Sequence, residues 1–83
     1  MKKRYCLNVF YAPFDEKTEE SIEKLVGKFF ENSGCWLEGD IAHRDLQFEY
    51  ELEAAALVAQ ERVTVLKEKL PGFHTEVISH EVA

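Results

Sequence analysis

The residues of this chain best equipped for chemistry are carboxylates. Glu49 and Glu51 stand two apart in the run Leu46-Gln47-Phe48-Glu49-Tyr50-Glu51-Leu52, so on an extended backbone they share one face about 7 Å apart. That spacing suits paired acid/base work, but no neighbouring motif supplies a pocket, and two solvated glutamates are the simpler reading. Asp40, Glu49, Glu51, His74 and His80 would have to converge to hold a metal. No HExxH, CxxC or EF-hand spacing joins them, and no metal is expected. Cys6 and Cys35 are too few for a disulfide scaffold and lack companion histidines, so both read as reduced and structural. Ser21, Ser33 and Ser79 belong to no nucleophile elbow, and the four glycines form no phosphate-binding loop. The inventory predicts no catalytic residue and no cofactor.

Composition narrows the class further. Eighty-three residues with 46% apolar and 31% charged side chains are those of an ordinary globular domain, and a domain of this size buries roughly 60% of the surface its unfolded chain exposes. Residues 1–83 are therefore expected to form one domain. No stretch reaches the roughly 18 consecutive apolar residues of a membrane span, and Met1-Lys2-Lys3-Arg4 leads into an alternating segment instead of a signal peptide's apolar core. A cytoplasmic protein is expected. Sixteen acids against ten bases give a net charge of −6, which opposes general binding to nucleic-acid phosphates or an anionic membrane.

Periodicity supplies the elements that would position these side chains. Tyr5, Leu7, Val9 and Tyr11 alternate with Cys6, Asn8 and Phe10, the period of a strand, and Pro13 with Asp15 predicts its end near Ala12. Ile22, Leu25, Val26, Phe29 and Phe30 form one helical stripe, with Thr18 the expected N-cap and Asn32-Ser33-Gly34 the expected stop. A weaker alternation from Cys35 to Ala42 predicts a second strand in which Trp36, Glu38 and Asp40 share a side. His43-Arg44-Asp45 reads as a tight turn into a third strand, where Leu46, Phe48, Tyr50 and Leu52 alternate with Gln47, Glu49, Glu51 and Glu53. From Ala54 to Leu70, Ala55, Ala59, Val63, Leu66 and Leu70 make a second helical stripe, while Leu57, Val58 and Val65 fall off it. Pro71-Gly72 stops that helix, and Phe73, Thr75 and Val77 alternate with His74, Glu76 and Ile78 in a last strand.

The order β-α-β-β-α-β, with right-handed crossovers, predicts a ferredoxin-like two-layer α+β sandwich: two helices on one face of a four-stranded antiparallel sheet of order 4-1-3-2. This arrangement is similar in topology to the RNA-recognition motif over nearly the whole chain. The resemblance implies a shared architecture but not a shared ligand. That family stacks bases on aromatic residues of its central strands, and the outward positions of the third strand here hold Gln47, Glu49 and Glu51.

The open sheet face is where this architecture leaves room for function. From Glu38 to Glu53 the chain carries six acids and one base, so acidity concentrates on the middle hairpin. The expectation is a small non-enzymatic protein-binding module that engages a basic partner protein through Trp36, Glu38, Asp40, Glu49 and Glu51, with Phe10 and Tyr11 as further apolar anchors. Two alternatives stand beside it. One is an acidic nucleic-acid mimic that inhibits a nucleic-acid-binding protein. The other is a homodimeric ferredoxin-like small-molecule-binding protein or enzyme, with Asn8, His74 and His80 lining a cleft and self-association through an edge strand or the side of the second helix around Leu57 and Val58.

Overall fold

The structure is a computed structural model that describes residues 2–70 and 72–82. Its elements are β1 (Lys2–Tyr11), α1 (Glu16–Val26), β2 (Asn32–Glu38), β3 (Ile41–Tyr50), α2 (Glu53–Val63), a short 3₁₀ turn (Thr64–Leu66) and β4 (His74–Val82). The four strands form one open sheet of order β2-β3-β1-β4, which read from the opposite edge is β4-β1-β3-β2. Every pairing is antiparallel.

Strand parity decides where the core lies. Leu7, Val9 and Tyr11 of β1 and Leu46 and Phe48 of β3 point to one side and are almost wholly buried there, packed against Ile22 and Val26 of α1 and Ala59 and Val63 of α2. Because both helices cover the same sheet residues, they occupy the same face. Burying each large apolar side chain contributes roughly 1.5–3 kcal/mol, so these few positions carry most of the hydrophobic stabilisation. Leu57, Val58 and Val65 remain 46%, 48% and 63% exposed, off the stripe as their spacing implies.

Several element ends differ from the sequence expectations, each for a local reason. Asp15, not Thr18, caps α1: its Oδ2 accepts hydrogen bonds from the Thr18 N–H at 3.1 Å and from the Thr18 hydroxyl at 2.9 Å, so Thr18 is already inside the first turn. The helix then stops at Gly27, whose φ of 88° no other residue type adopts cheaply. Phe29, expected on the buried stripe, consequently lies past the helix and is 81% exposed. Asn32-Ser33-Gly34 belongs to β2, not to a helix stop. The hairpin turns at Gly39-Asp40, with Gly39 at a φ of 62°, so His43-Arg44-Asp45 is not a turn but the interior of β3. Helix α2 ends at Val63, short of Leu70, and β4 continues past Ile78 to Val82. Pro71 of the expected Pro71-Gly72 stop lies outside the described residues.

Two ionic devices tie the layers together. β2 pairs with β3 only as far as Asn32 opposite Gln47, which leaves the edge groups of Glu49 without a strand partner. The Glu31 carboxylate accepts the Glu49 N–H at 2.8 Å, and the Lys28 ammonium donates to the Glu49 carbonyl at 2.6 Å. Lys28 and Glu31 also pair with each other, so two side chains replace the missing strand residue. Burial pushes the Glu31 carboxyl pKa up, but the hydrogen bonds from Lys28 and from the Glu49 N–H outweigh it and hold the carboxyl below its ordinary range. On the core side of β3, Arg44 donates to Glu19 of α1 at 2.7 Å and lies between the rings of Phe14 and Phe30. That hydrogen bond raises the Arg44 pKa against the opposing effect of burial.

Two predictions follow from this arrangement. Phe29→Ser changes the free energy of unfolding by no more than about 0.5 kcal/mol, whereas Phe48→Ala loses about 3–5 kcal/mol, as read by denaturant titration. Glu31 contributes stability above its ordinary pKa of 4.5 and loses it as pH falls through its lowered folded value. Glu31→Gln therefore lowers the melting temperature at neutral pH and flattens the acid limb of the stability profile.

Candidate functional site

The sheet face opposite the helices is organised in rows across the strands. One row runs His74, Phe10, Asp45, Gly34 from β4 to β2, the next Glu76, Asn8, Gln47, Asn32, and the next Ile78, Cys6, Glu49. Beyond these, His80 pairs with Arg4, and towards the hairpin turn Trp36 pairs with His43. The middle of the face covers itself. Cys6 and Asn8 are 4% and 5% exposed, and Asn8 accepts from the Cys6 thiol at 3.3 Å and donates to Glu76 at 3.2 Å. A buried amide with both ends occupied is inexpensive to keep there.

The end nearer the hairpin turn is aromatic. His43 stacks on Trp36 with ring centroids 5.5 Å apart, Trp36 meets Phe10 edge-on at 6.5 Å, and Phe10 stacks on His74 at 5.7 Å. Trp36 on β2 and Phe10 on β1 have β3 between them, so their backbones lie two strand spacings apart, roughly 10 Å. Centroids at 6.5 Å therefore require the rings to lean towards one another over β3. Asp45 is the β3 residue that pairs with Phe10 on one side and with Gly34 on the other. Trp36 remains 41% exposed and Glu38, 3.3 Å from His43, is largely exposed.

The far end is charged, with two carboxylates around one arginine. Arg4 lies 3.5 Å from Glu49 and 4.0 Å from Glu51, and His80 lies 3.8 Å from Glu49. The Glu49 side chain is only 26% exposed, so it is not the free outward acid its spacing implied.

The five residues singled out from sequence thus fall into two groups. Trp36 and Glu38 share the aromatic end with His43, and Asp40 sits beside them in the turn, not on the strand face. Glu49 and Glu51 belong to the charged end, with Glu51 just past β3. Glu49 is six positions along β3 from His43, the partner of Trp36, roughly 20 Å. Tyr11, offered as an anchor, is on the core face and 1% exposed. Reading His43-Arg44-Asp45 as a turn hid His43 and Asp45 from view. The signal that would have found them is the alternation of Ala42, Arg44 and Leu46, obscured because Arg44 is a charged residue on the core side. Asp40, Glu49, Glu51, His74 and His80 do not converge, and the described residues contain no cluster of three or more metal-ligating side chains.

No protein-family model matches this chain, and no curated protein matches it. Its site must be judged on chemistry alone. Grooves of about 380 Å³ along Glu20, Lys24, Gly27 and Phe29 and of about 370 Å³ between Tyr50, Val58 and Arg62 lie off this face, while hollows of about 310 Å³ and 300 Å³ border its two ends, at Arg4 and Glu51 and at His74. No helix among the described residues is long and apolar enough to cross a membrane.

Burial, reinforced by the nearby charges of Glu49 and Glu31, pushes the Cys6 thiol up to about 11. Burial likewise pushes the Tyr11 phenol up to about 12. In each case the folded state holds its proton after the unfolded state would release it, so stability is intact below the ordinary values of 9.0 and 10.0 and is lost as pH rises through the folded ones. Thermal melts should therefore show a falling melting temperature from about pH 9 towards pH 12. Alkylation of the native protein at pH 8 should modify Cys35, which is exposed, and spare Cys6, which reacts only after unfolding.

Proposed function

We propose that this chain is a ferredoxin-like, non-catalytic protein-binding module whose open sheet face engages a basic partner protein. The single observation that carries the reading is the aromatic end of that face: the rings of Phe10, Trp36, His43 and His74 in one chain of contacts, with Glu38 and Asp40 exposed beside it. Aromatic side chains that stay accessible on a rigid sheet are what binding energy is drawn from at protein interfaces. Surrounding carboxylates, in a molecule of net charge −6, attract a cationic surface and orient its approach. The sheet order and the two helices on one face support the ferredoxin-like class.

The same geometry moves the centre of the proposed interface. Glu49 and Glu51 share Arg4 and serve as its rim, while Trp36 and Glu38 stand at its middle. The nucleic-acid-mimic alternative draws less support, because a mimic needs regularly spaced free carboxylates. Here Asp40 is in the turn, Glu49 is paired, and Glu53 opens α2.

Oligolysine serves as a model basic partner, and the emission of Trp36, the single tryptophan, reports its arrival. Saturable binding that weakens as salt is raised, and that Trp36→Ala or Glu38→Lys reduces by about tenfold or more, is the expected result. Absence of binding, or an affinity indifferent to ionic strength, overturns the reading.

A further inference from the structure

Strand β4 is an open edge. It pairs with β1 along all nine of its residues and ends the sheet on that side, so every second N–H and C=O of its backbone points away from the molecule. Where β3 has a similar free stretch at Glu49, Glu31 and Lys28 cover it. Among the described residues nothing bonds to the outward backbone of β4, and the strand contains neither the proline nor the lysine that blunts a natural edge.

Its side chains are self-complementary. On the open-face side the strand runs His74, Glu76, Ile78, His80, Val82, with Glu76 and His80 equally far on either side of Ile78, which is 46% exposed. Two antiparallel copies related by a two-fold axis through the sheet pair only in registers that set one residue opposite its own copy. Centring on Glu76 or His80 brings like groups together, and centring on Val77 sets His74 against His80. Centring on Ser79 leaves Glu76 opposite Val82 and Ile78 opposite His80. Centring on Ile78 puts each Glu76 opposite the second copy's His80 and closes the two Ile78 side chains on each other. Neither polar group is exhausted within its own chain: Asn8 bonds Glu76 Oε1 and Glu49 faces His80 Nε2, while Glu76 Oε2 and His80 Nδ1 have no partner among the described residues. Strand β2, the other edge, holds one charged residue, Glu38, and has no register that pairs unlike charges.

We infer that two copies of this chain join β4 to β4, antiparallel about Ile78, so that two four-stranded sheets become one of eight with the helices of both copies on the same side. The new ladder satisfies the outward backbone groups, and the two Glu76–His80 pairs and the Ile78 contact fix its register. The open faces of the two copies then form one surface. This inference is independent of the basic-partner reading.

Sedimentation velocity of the full chain reads the assembly. One strand pair is a small interface, so a monomer–dimer equilibrium with a dissociation constant of about 10–100 μM is expected. Glu76→Lys sets an ammonium opposite an imidazole, and His80→Glu sets two carboxylates opposite each other, so each variant alone dimerises at least about tenfold more weakly. An equal mixture of the two variants regains the dimer of the unaltered chain, because lysine then meets glutamate across the axis, a rescue that no role within a single chain produces. Amide hydrogen exchange of the unaltered chain gives a second reading and decides alone if either variant fails to melt cooperatively: protection in β4 rises with protein concentration while that of β2 stays constant. A monomer at about 1 mM chain, assembly beyond the dimer, folded variants whose mixture stays monomeric, or concentration-dependent protection at β2 instead of β4 overturns the inference.

Discussion

Strand β1 is the constraint on which the rest of the molecule depends. It is hydrogen-bonded along both edges, to β3 and to β4, and between Cys6 and Val9 it is buried on both faces. Leu7 and Val9 meet the helices on one side, while Cys6 and Asn8 are covered by the side chains of neighbouring strands on the other. A strand without contact with water on either face has one register that suits it, because a slip by a single residue would drive Cys6 and Asn8 into the helices and Leu7 and Val9 out of them. That fixed register places Phe10 opposite Asp45 and His74, and so sets the order of the rows on the open face.

Charge does structural work at the margins of this frame. Lys28 and Glu31 complete the β3 edge where β2 has not yet joined, and Arg44 with Glu19 fastens β3 to α1 between two phenylalanine rings. Each of these ions has a partner within hydrogen-bond reach, which is how a small protein keeps part-buried charges without large desolvation losses. Asp45 departs from the pattern. Like Glu23, and unlike the paired Glu19 and Glu49, it is part-buried with no cationic side chain against it.

The layer arrangement was legible because β1 and the second half of β3 alternate cleanly and because Ile22 and Val26 mark the buried side of α1. Element ends were less so, since they are decided by single residues whose role depends on backbone angles. Gly27 ends α1 early although Phe29 and Phe30 continue the helical spacing, and that continuation misled the burial of Phe29. The hairpin was misplaced because Arg44 faces the core side, where a charged residue breaks the apolar alternation. Its ion pair with Glu19 joins positions 25 apart in sequence and leaves no local trace. The acidic concentration of the hairpin was real, but which acids are free depends on Arg4 and His80, contributed by the first and last strands.

The two faces of the sheet give its residues separate duties. Along β1 and β3, apart from the buried Cys6 and Asn8, alternate positions serve either cohesion with the helices or contact with the outside. Mutational drift at Phe10, His43, Asp45 or Gln47 can therefore proceed with little consequence for the helix-covered core. Substitution there changes the chemistry of the open face while the packing of the interior is left as it is. The boundary between evolvable and protected sites runs through every second residue of the same strands.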